Sequence, residues 1–302
     1  MSTLQLDNSN VGKVLGKQVD YPDQYNPSIL VREPRSTNRQ YLNLNDNNLP
    51  FCGYDVWNAY EVSCLTEKGL PVTAIAKIVY PCDNKYIVES KSLKLYLNSF
   101  NMSRHGLDRY TCLNIIEDKI ATDLSELLET DVKVRLFNTW DINTVGEQRY
   151  FSNYEILELE DDGQWKYDNY NETPNLLIPP FRSEYLVEQK LRSSLMRSRC
   201  RVTSQPDFGD VFVYIKGNYP VKKEHLLKYI VSFRNECHFH EECTEAIYRR
   251  LWDTYKPAKL MVSCLYTRRG GIDINALRAS SIDLIPFEIF DVDELFVKSS
   301  RQ

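Results

Sequence analysis

The sequence predicts an α+β protein made of two tandem units, each an antiparallel sheet with two helices on one face. Three observations lead there. Two stretches resemble each other at an offset of 133 residues, SLKLYLNSFN (92–101) and HLLKYIVSFR (225–234), with Tyr96 opposite Tyr229, Ser99 opposite Ser232 and Phe100 opposite Phe233. Around each stretch the candidate elements recur in one order: strand, strand, helix, helix, strand. Between them the polar, proline-bearing segment DDGQWKYDNYNETPNLLIPPF (161–181) reads as a divider. The expected organisation is a polar N-terminal arm over residues 1–45, a first unit over 46–165 and a second over 166–302.

Each element has its own warrant. YDVWNAYEVSCL (54–65) and IAKIVYP (75–81) are β-branched and aromatic runs, as are EYLVEQKLRSSLMRSRCRV (184–202) and DVFVYIKG (210–217) in the second half. LNIIEDKIATDLSELL (113–128) and EECTEAIYRRLWDTY (241–255) carry helical patterns. DVKVRLF (131–137) and AKLMVSCLYT (258–267) return to strand character, and RYFSNYEILELE (149–160) and IPFEIFDVDEL (285–295) are late strand candidates.

Composition narrows the function. The chain has 302 residues, 42% of them hydrophobic, which suffices for two ordinary cores. A net charge of −5 speaks against direct binding of bulk nucleic acid. No apolar run approaches the ~20 residues that span a bilayer, and MSTLQLDNSN lacks the regions of a signal peptide. A soluble, cytoplasmic protein without a membrane partner is expected. The eight cysteines form no Cys-x-x-Cys pair, so free thiols are the default in a reducing compartment. Zinc is the rival reading at ECHFHEEC, where Cys237, His238, His240 and Cys243 crowd together without a second ligand pair at finger spacing.

Four segments carry residues suited to chemistry. VESKSLKLYLNSF (88–100) opens a helix with Glu89 and Ser90 near its N-terminus, and Lys91 and Lys94 share one face. It fits an ordinary amphipathic helix, or a phosphate-holding lysine pair beside a ligand-reading carboxylate. RCRVTSQPDFGD (199–210) sets Cys200 between two arginines and ahead of a turn that ends in Asp207, which is either a turn residue or an aimed acid. FRNECHFHEEC (233–243) holds adjacent His240 and Glu241, and YTRRGGIDIN (266–275) offers two arginines before two glycines. No Gly-x-Gly-x-x-Gly follows a strand, so a dinucleotide would have to be held by something other than a Rossmann domain.

ESKSLKLY resembles the signature of the NADPH-dependent 7-cyano-7-deazaguanine reductases, the QueF family of the tunnelling-fold superfamily. CRVTSQPDFGD is similar to that family's nucleophile segment, FRNECHFHEEC to its base-recognition segment, and YTRRGGIDIN supplies a fourth match in the expected order. The two-unit layout is similar to the family's longer, bimodular form. The resemblance implies Cys200 as nucleophile and Asp207 as proton donor. It implies Glu89, Ser90, His240, Glu241 and the backbone of Val88 at the substrate, and Ser90, Lys91, Arg269 and Gly270 at NADPH, with no metal. Because Cys200 lies in the second unit and ESKSLK in the first, one active site is expected to need both. The two-unit chain would mimic a pair of single-unit subunits with sites completed at interfaces, and a homodimer is the expected assembly.

The chemistry suits those residue types. Reducing a nitrile to a primary amine takes two hydrides in turn. A thiolate that first adds to the nitrile gives a thioimide, which accepts hydride more readily. Arg199 and Arg201 would favour the thiolate if they point toward it, and Asp207 would need partial burial to hold a proton near neutral pH. One carboxylate, Glu241, can accept both the ring N–H and the exocyclic amine of a deazaguanine. Lysine and arginine suit phosphate, and Gly270 lets backbone approach closely. The alternatives are a zinc-dependent cyclohydrolase or lyase of pterin or deazaguanine chemistry, and a non-catalytic tRNA-binding module.

Overall fold

The computed structural model of the chain describes residues 22, 24–139, 150–161, 163–201, 203–295 and 302. The lead-in contains a 3-10 turn at Pro27–Ile29, β1 (Arg32–Pro34) and α1 (Ser36–Tyr41). The first unit runs β2 (Cys52–Leu65), β3 (Pro71–Pro81), β4 (Tyr86–Val88), α2 (Ser90–Asn98), α3 (Arg109–Leu128) and β5 (Lys133–Asn138). After the two-residue β6 (Glu155–Ile156), the second unit runs β7 (Val187–Arg199), β8 (Pro206–Gly217), α4 (Lys223–Val231), α5 (His240–Tyr255), β9 (Lys259–Tyr266) and β10 (Ile272–Ala279), followed by the one-turn α6 (Phe287–Phe290). The α+β class and the doubled element order agree with the sequence. Both long hairpins also carry a register shift at the matching place, between Ala59 and Val62 in β2 and between Ser193 and Met196 in β7.

The two halves, antiparallel except for the parallel pairing of β6 with β7, join into one eight-stranded sheet of order β5-β3-β2-β10-β9-β8-β7-β6. The seam is the pairing of β10 with β2, from Ile272 opposite Ala59 to Ala279 opposite Cys52. β10 is a strand that the sequence reading did not predict. Its buried positions include Asp273, Asn275 and Arg278, so it lacks the apolar alternation of a half-buried strand. The four long helices share one face of the sheet. There α2 and α3 pack Leu93, Tyr96, Ile116 and Ile120 on Trp57, Ala76 and Ile78. In the other half, α4 and α5 pack Leu226, Tyr229, Ile247 and Leu251 on Val213, Val262 and Cys264.

Of the two late strand candidates, the first adds only the two-residue β6 to the end of the sheet and the second adds no strand. Among the described residues of 149–160 only Glu155–Ile156 is extended, followed by a 3-10 turn, and within 285–295 the chain forms α6 instead. Their apolar side chains cover the face away from the helices, where Phe151, Tyr154, Ile285 and Ile289 pack on Val56, Phe212, Met261 and Leu277. Covering a face buries that apolar surface as fully as pairing would.

The polar lead-in is no free arm from residue 24 onward, while residues 1–21 lie outside the described residues. β1 pairs with β4, and α1 sends its charges inward. Arg35 reaches Asp55 at 2.5 Å, and Arg39 reaches Glu245 at 2.8 Å. Arg278 joins both acids, at 2.8 Å to Asp55 and 3.0 Å to Glu245. These five side chains are almost wholly buried, and they link the lead-in, the first unit and the second. A buried charge that loses its partner costs about 3–5 kcal/mol, so the network fixes how the units meet.

Candidate active site

One cavity lies at the seam, between the start of α2, the β7–β8 turn, the start of α5 and the β9–β10 turn. Val88, Ser90, Lys91, Cys200, Asp207, His240, Glu241 and Arg269 all line it. The first unit supplies Ser90 and Lys91 and the second supplies Cys200 and Asp207, so both units of one chain contribute to one cavity.

The β7–β8 hairpin explains the spacing of Cys200 and Asp207. Ser198 stands opposite Asp207, and Arg199 opposite Pro206. Within the turn Cys200 N–H donates to Gln205 O at 2.8 Å and Ser204 N–H donates to Cys200 O at 2.9 Å, with Ser204 at φ 56. Seven residues in sequence thus become neighbours across a tight turn. Arg199 is bonded on both sides to the loop before α5, its N–H donating to Glu236 O at 2.7 Å and its carbonyl accepting from His238 N–H at 3.2 Å. That ties the nucleophile segment to His240 and Glu241.

Lys91 is the cation at the thiol. Its Nζ lies 3.0 Å from Cys200 Sγ and 3.1 Å from Ser90 Oγ. Burial pushes the Cys200 thiol up, but hydrogen bonds from Thr203 and Lys91 outweigh it and hold the thiol below its ordinary value. The flanking arginines expected in that role are engaged elsewhere. Arg199 donates to Asn235 Oδ1 at 2.7 Å, and Arg201 pairs with Glu242 at 2.8 Å over the Phe239 ring. Lys91, which the resemblance implies at the cofactor, has its ammonium on the sulfur here.

Asp207 is buried, at 4% exposure, between Arg269 and His240. It bonds the Arg269 guanidinium directly and lies 3.5 Å from His240 Nε2. Burial raises its carboxyl, as the sequence reading expects, yet His240 and Arg269 more than offset that and hold it below the usual carboxylate range. His240 is aimed by stacking on Tyr266, ring centroids 3.9 Å apart.

Glu241 is 2% exposed, and its Oε1 has no hydrogen-bond partner among the described residues. Burial and the negative Asp55 behind it raise its carboxyl. An orphaned acceptor facing a cavity is suited to a ligand that brings N–H donors. Glu89 is differently placed: its carboxylate caps α2, accepting from the N–H of Lys91 at 3.0 Å and of Ser92 at 2.7 Å. It positions Lys91 rather than lining the cavity.

Cations gather at the mouth. Burial, Lys91 and Arg269 together lower the Lys94 ammonium, so an anion there would relieve the crowding, and a phosphate-bearing cofactor fits this donor set. Gly270 belongs to the neighbouring cavity with Lys94 and Glu61. At φ 54, a β-carbon on it would collide with Lys94 Nζ. Trp57 and Phe239 also line the site, and the sequence reading passed over them as functional residues, while His238, read in the sequence only as a zinc candidate, lines it as well. His238 and Phe239 lie inside the quoted FRNECHFHEEC, so a signal was present, whereas Trp57 sits in an ordinary strand pattern. Burial lowers His238, but Glu236 at 3.2 Å and Glu242 at 3.5 Å push it up to about 9.

The four residues of the zinc rival do not converge. His238 is engaged by its two glutamates, His240 stacks on Tyr266, Cys237 is exposed and Cys243 is buried in the core. Among the described residues no group of three or more His, Cys, Asp or Glu side chains is arranged to hold a metal ion.

Comparison with known proteins places the chain in a family. Residues 21–136 match the family described as nitrile reductase, 7-cyano-7-deazaguanine-reductase N-term, and residues 206–282 match the QueF-like protein family. The NADPH-dependent 7-cyano-7-deazaguanine reductase of Colwellia psychrerythraea is 38% identical over 275 residues, covering 90% of this chain and 93% of its own. The reductase of the same name from Hahella chejuensis is 41% identical over 266 residues, covering 88% and 92%. A solved structure, the archaeosine synthase QueF-Like in the apo form, covers 33% of this chain and 99% of its own at 20% identity, with a TM-score of 0.29. By sequence over nine-tenths of its length, this chain belongs to the family of NADPH-dependent 7-cyano-7-deazaguanine reductases.

Proposed function

We propose that the seam cavity reduces the nitrile of 7-cyano-7-deazaguanine to the aminomethyl group, a step in making the queuosine base of tRNA, with Cys200 as the covalent nucleophile. The Lys91 ammonium, 3.0 Å from the sulfur, is the observation that carries this reading. Among eight cysteines, Cys200 alone joins a lowered thiol to a position facing both Asp207 and His240.

Glu241 accepts the ring N–H and exocyclic amine of the base, satisfying its orphaned oxygen. The Cys200 thiolate adds to the nitrile carbon. One C≡N π bond opens, an S–C bond forms, and the nitrogen takes a proton from Asp207, with His240 beside it. The product is a thioimide. Two NADPH molecules, bound in turn, would each supply one of the two hydrides the nitrile needs. Arg269, Lys94 and the Gly270 turn would hold the cofactor's phosphates, and Ser90 and the Val88 backbone would border the base. Between the two reductions Cys200 leaves as thiolate, and Lys91 stabilises that leaving group.

The chain works as a homodimer in the cytoplasm and does not itself bind nucleic acid. β5 lies at one end of the sheet, and β6 pairs with only two residues of β7 at the other, which leaves strand edges for a second copy. All eight cysteines are free thiols, as suits a reducing compartment, and the net charge is −5. Among the described residues no helix is long and apolar enough to cross a membrane.

The test is stoichiometry. Purified protein given limiting 7-cyano-7-deazaguanine should oxidise two NADPH per nitrile and release the primary amine, and Cys200→Ala should oxidise none. One NADPH per nitrile, or turnover by Cys200→Ala, would overturn the reading.

A further inference from the structure

Arg269 faces two tasks that it cannot do at once. Its guanidinium bonds Asp207 directly and also reaches Gln205 Oε1. It is also the cation on the β9–β10 turn beside Lys94, where a cofactor phosphate would sit. The turn is built for movement at that side chain. Arg269 N–H donates to Ile272 O at 2.9 Å, Gly270 and Gly271 take left-handed conformations, and the guanidinium is about one-third exposed. The backbone is therefore fixed while the side chain keeps access to water.

We propose that Arg269 is shared between Asp207 and the cofactor phosphate: in the free site it holds Asp207 as a carboxylate, and a bound phosphate draws it away so that Asp207 takes up a proton and becomes the acid that the nitrile requires. The inference rests on the reading of Asp207 as proton donor given above. The proton comes from solvent, and nothing is oxidised or reduced in the exchange.

The groups around Asp207 make the direction clear. His240 at the start of α5 and Arg269 on the β9–β10 turn stabilise its anion, and Tyr266 of β9 lies behind His240. Lys91 and Lys94 of α2, Cys200 of the hairpin turn, and His238 and Glu241 beside His240 complete the titratable lining of the cavity. Once Arg269 leaves, burial is opposed chiefly by His240, so the Asp207 carboxyl rises and keeps its proton to higher pH. The coupling is reciprocal. Cofactor binding promotes protonation, and lower pH tightens cofactor binding.

The experiment follows thioimide formation by stopped-flow absorbance with NADP⁺, which carries no hydride to donate. At mildly alkaline pH, saturating NADP⁺ should speed thioimide formation in the wild type, roughly tenfold for each unit by which the acid rises. Arg269→Gln without cofactor should already be faster than the free wild type, and NADP⁺ should no longer accelerate it. Asp207→Asn should bind NADP⁺ more tightly than the wild type, with an affinity that has lost its pH dependence. Three results would overturn the proposal: no acceleration of the wild type although NADP⁺ demonstrably binds, equal acceleration of Arg269→Gln, or an Arg269→Gln that is slower at every pH. Absence of any thioimide while substrate binds would instead sink the nucleophile reading itself.

Discussion

Replacing Lys91 with methionine keeps the length and apolar body of the side chain and removes the only charge that touches the Cys200 sulfur among the described residues. Two unit charges about 4 Å apart at an effective dielectric near 20 interact by about 4 kcal/mol. The cavity opens to water, and halving that figure for screening leaves about 2 kcal/mol, or roughly 30-fold in the thiolate equilibrium. The assay is alkylation by iodoacetamide without cofactor, read at Cys200 by peptide mass so that the exposed Cys237 does not interfere. The wild-type thiol lies below its ordinary value, so its thiolate persists to lower pH. The loss of rate in Lys91→Met should therefore approach 30-fold on the acidic side and vanish once pH exceeds the variant's own thiol pKa. An unchanged pH profile, or an equal loss at every pH, would refute the ion-pair reasoning.

Other consequences are equally concrete. Arg278→Met leaves Asp55 and Glu245 buried with one partner fewer, so urea unfolding should show a loss of about 3–5 kcal/mol; a change below about 1 kcal/mol would contradict the role given to the network. Gly270→Ala puts a side chain at φ 54 against Lys94, so the dissociation constant for NADP⁺ should rise while thioimide formation without cofactor stays near wild type. His238, raised to about 9 in the fold, stabilises the protein fully below its unfolded value near 6.5, and that contribution is lost as pH rises through about 9. The stability difference between wild type and His238→Gln should therefore shrink across that window; a difference independent of pH would show that the glutamate clamp is not what matters.

Much of the site was legible because its motifs are local. The turn between Cys200 and Asp207 is written in Gln205 and Pro206, and a hairpin turns that spacing into a cross-strand neighbour. The doubled order of elements was legible because amphipathic periods survive in both units. What escaped was carried by side-chain direction or by distant partners. Arg199 and Arg201 flank Cys200 in sequence, but successive side chains along extended chain point to opposite faces, so the cation at the sulfur comes from α2, 109 residues away. The depression of Asp207 depends on His240 and Arg269, both remote in sequence. β10 and the lead-in shared one disguise: Arg35, Arg39, Asp273 and Arg278 read as surface residues, yet partners supplied by other segments bury them.

The covalent role of Cys200 is tested most directly by the absorbance of the purified protein mixed with 7-cyano-7-deazaguanine in the absence of NADPH. A new near-ultraviolet band in the wild type, absent from Cys200→Ala, is the predicted signature of the thioimide. If neither protein shows the band while calorimetry demonstrates that the base binds, Cys200 does not add to the nitrile and the covalent mechanism fails.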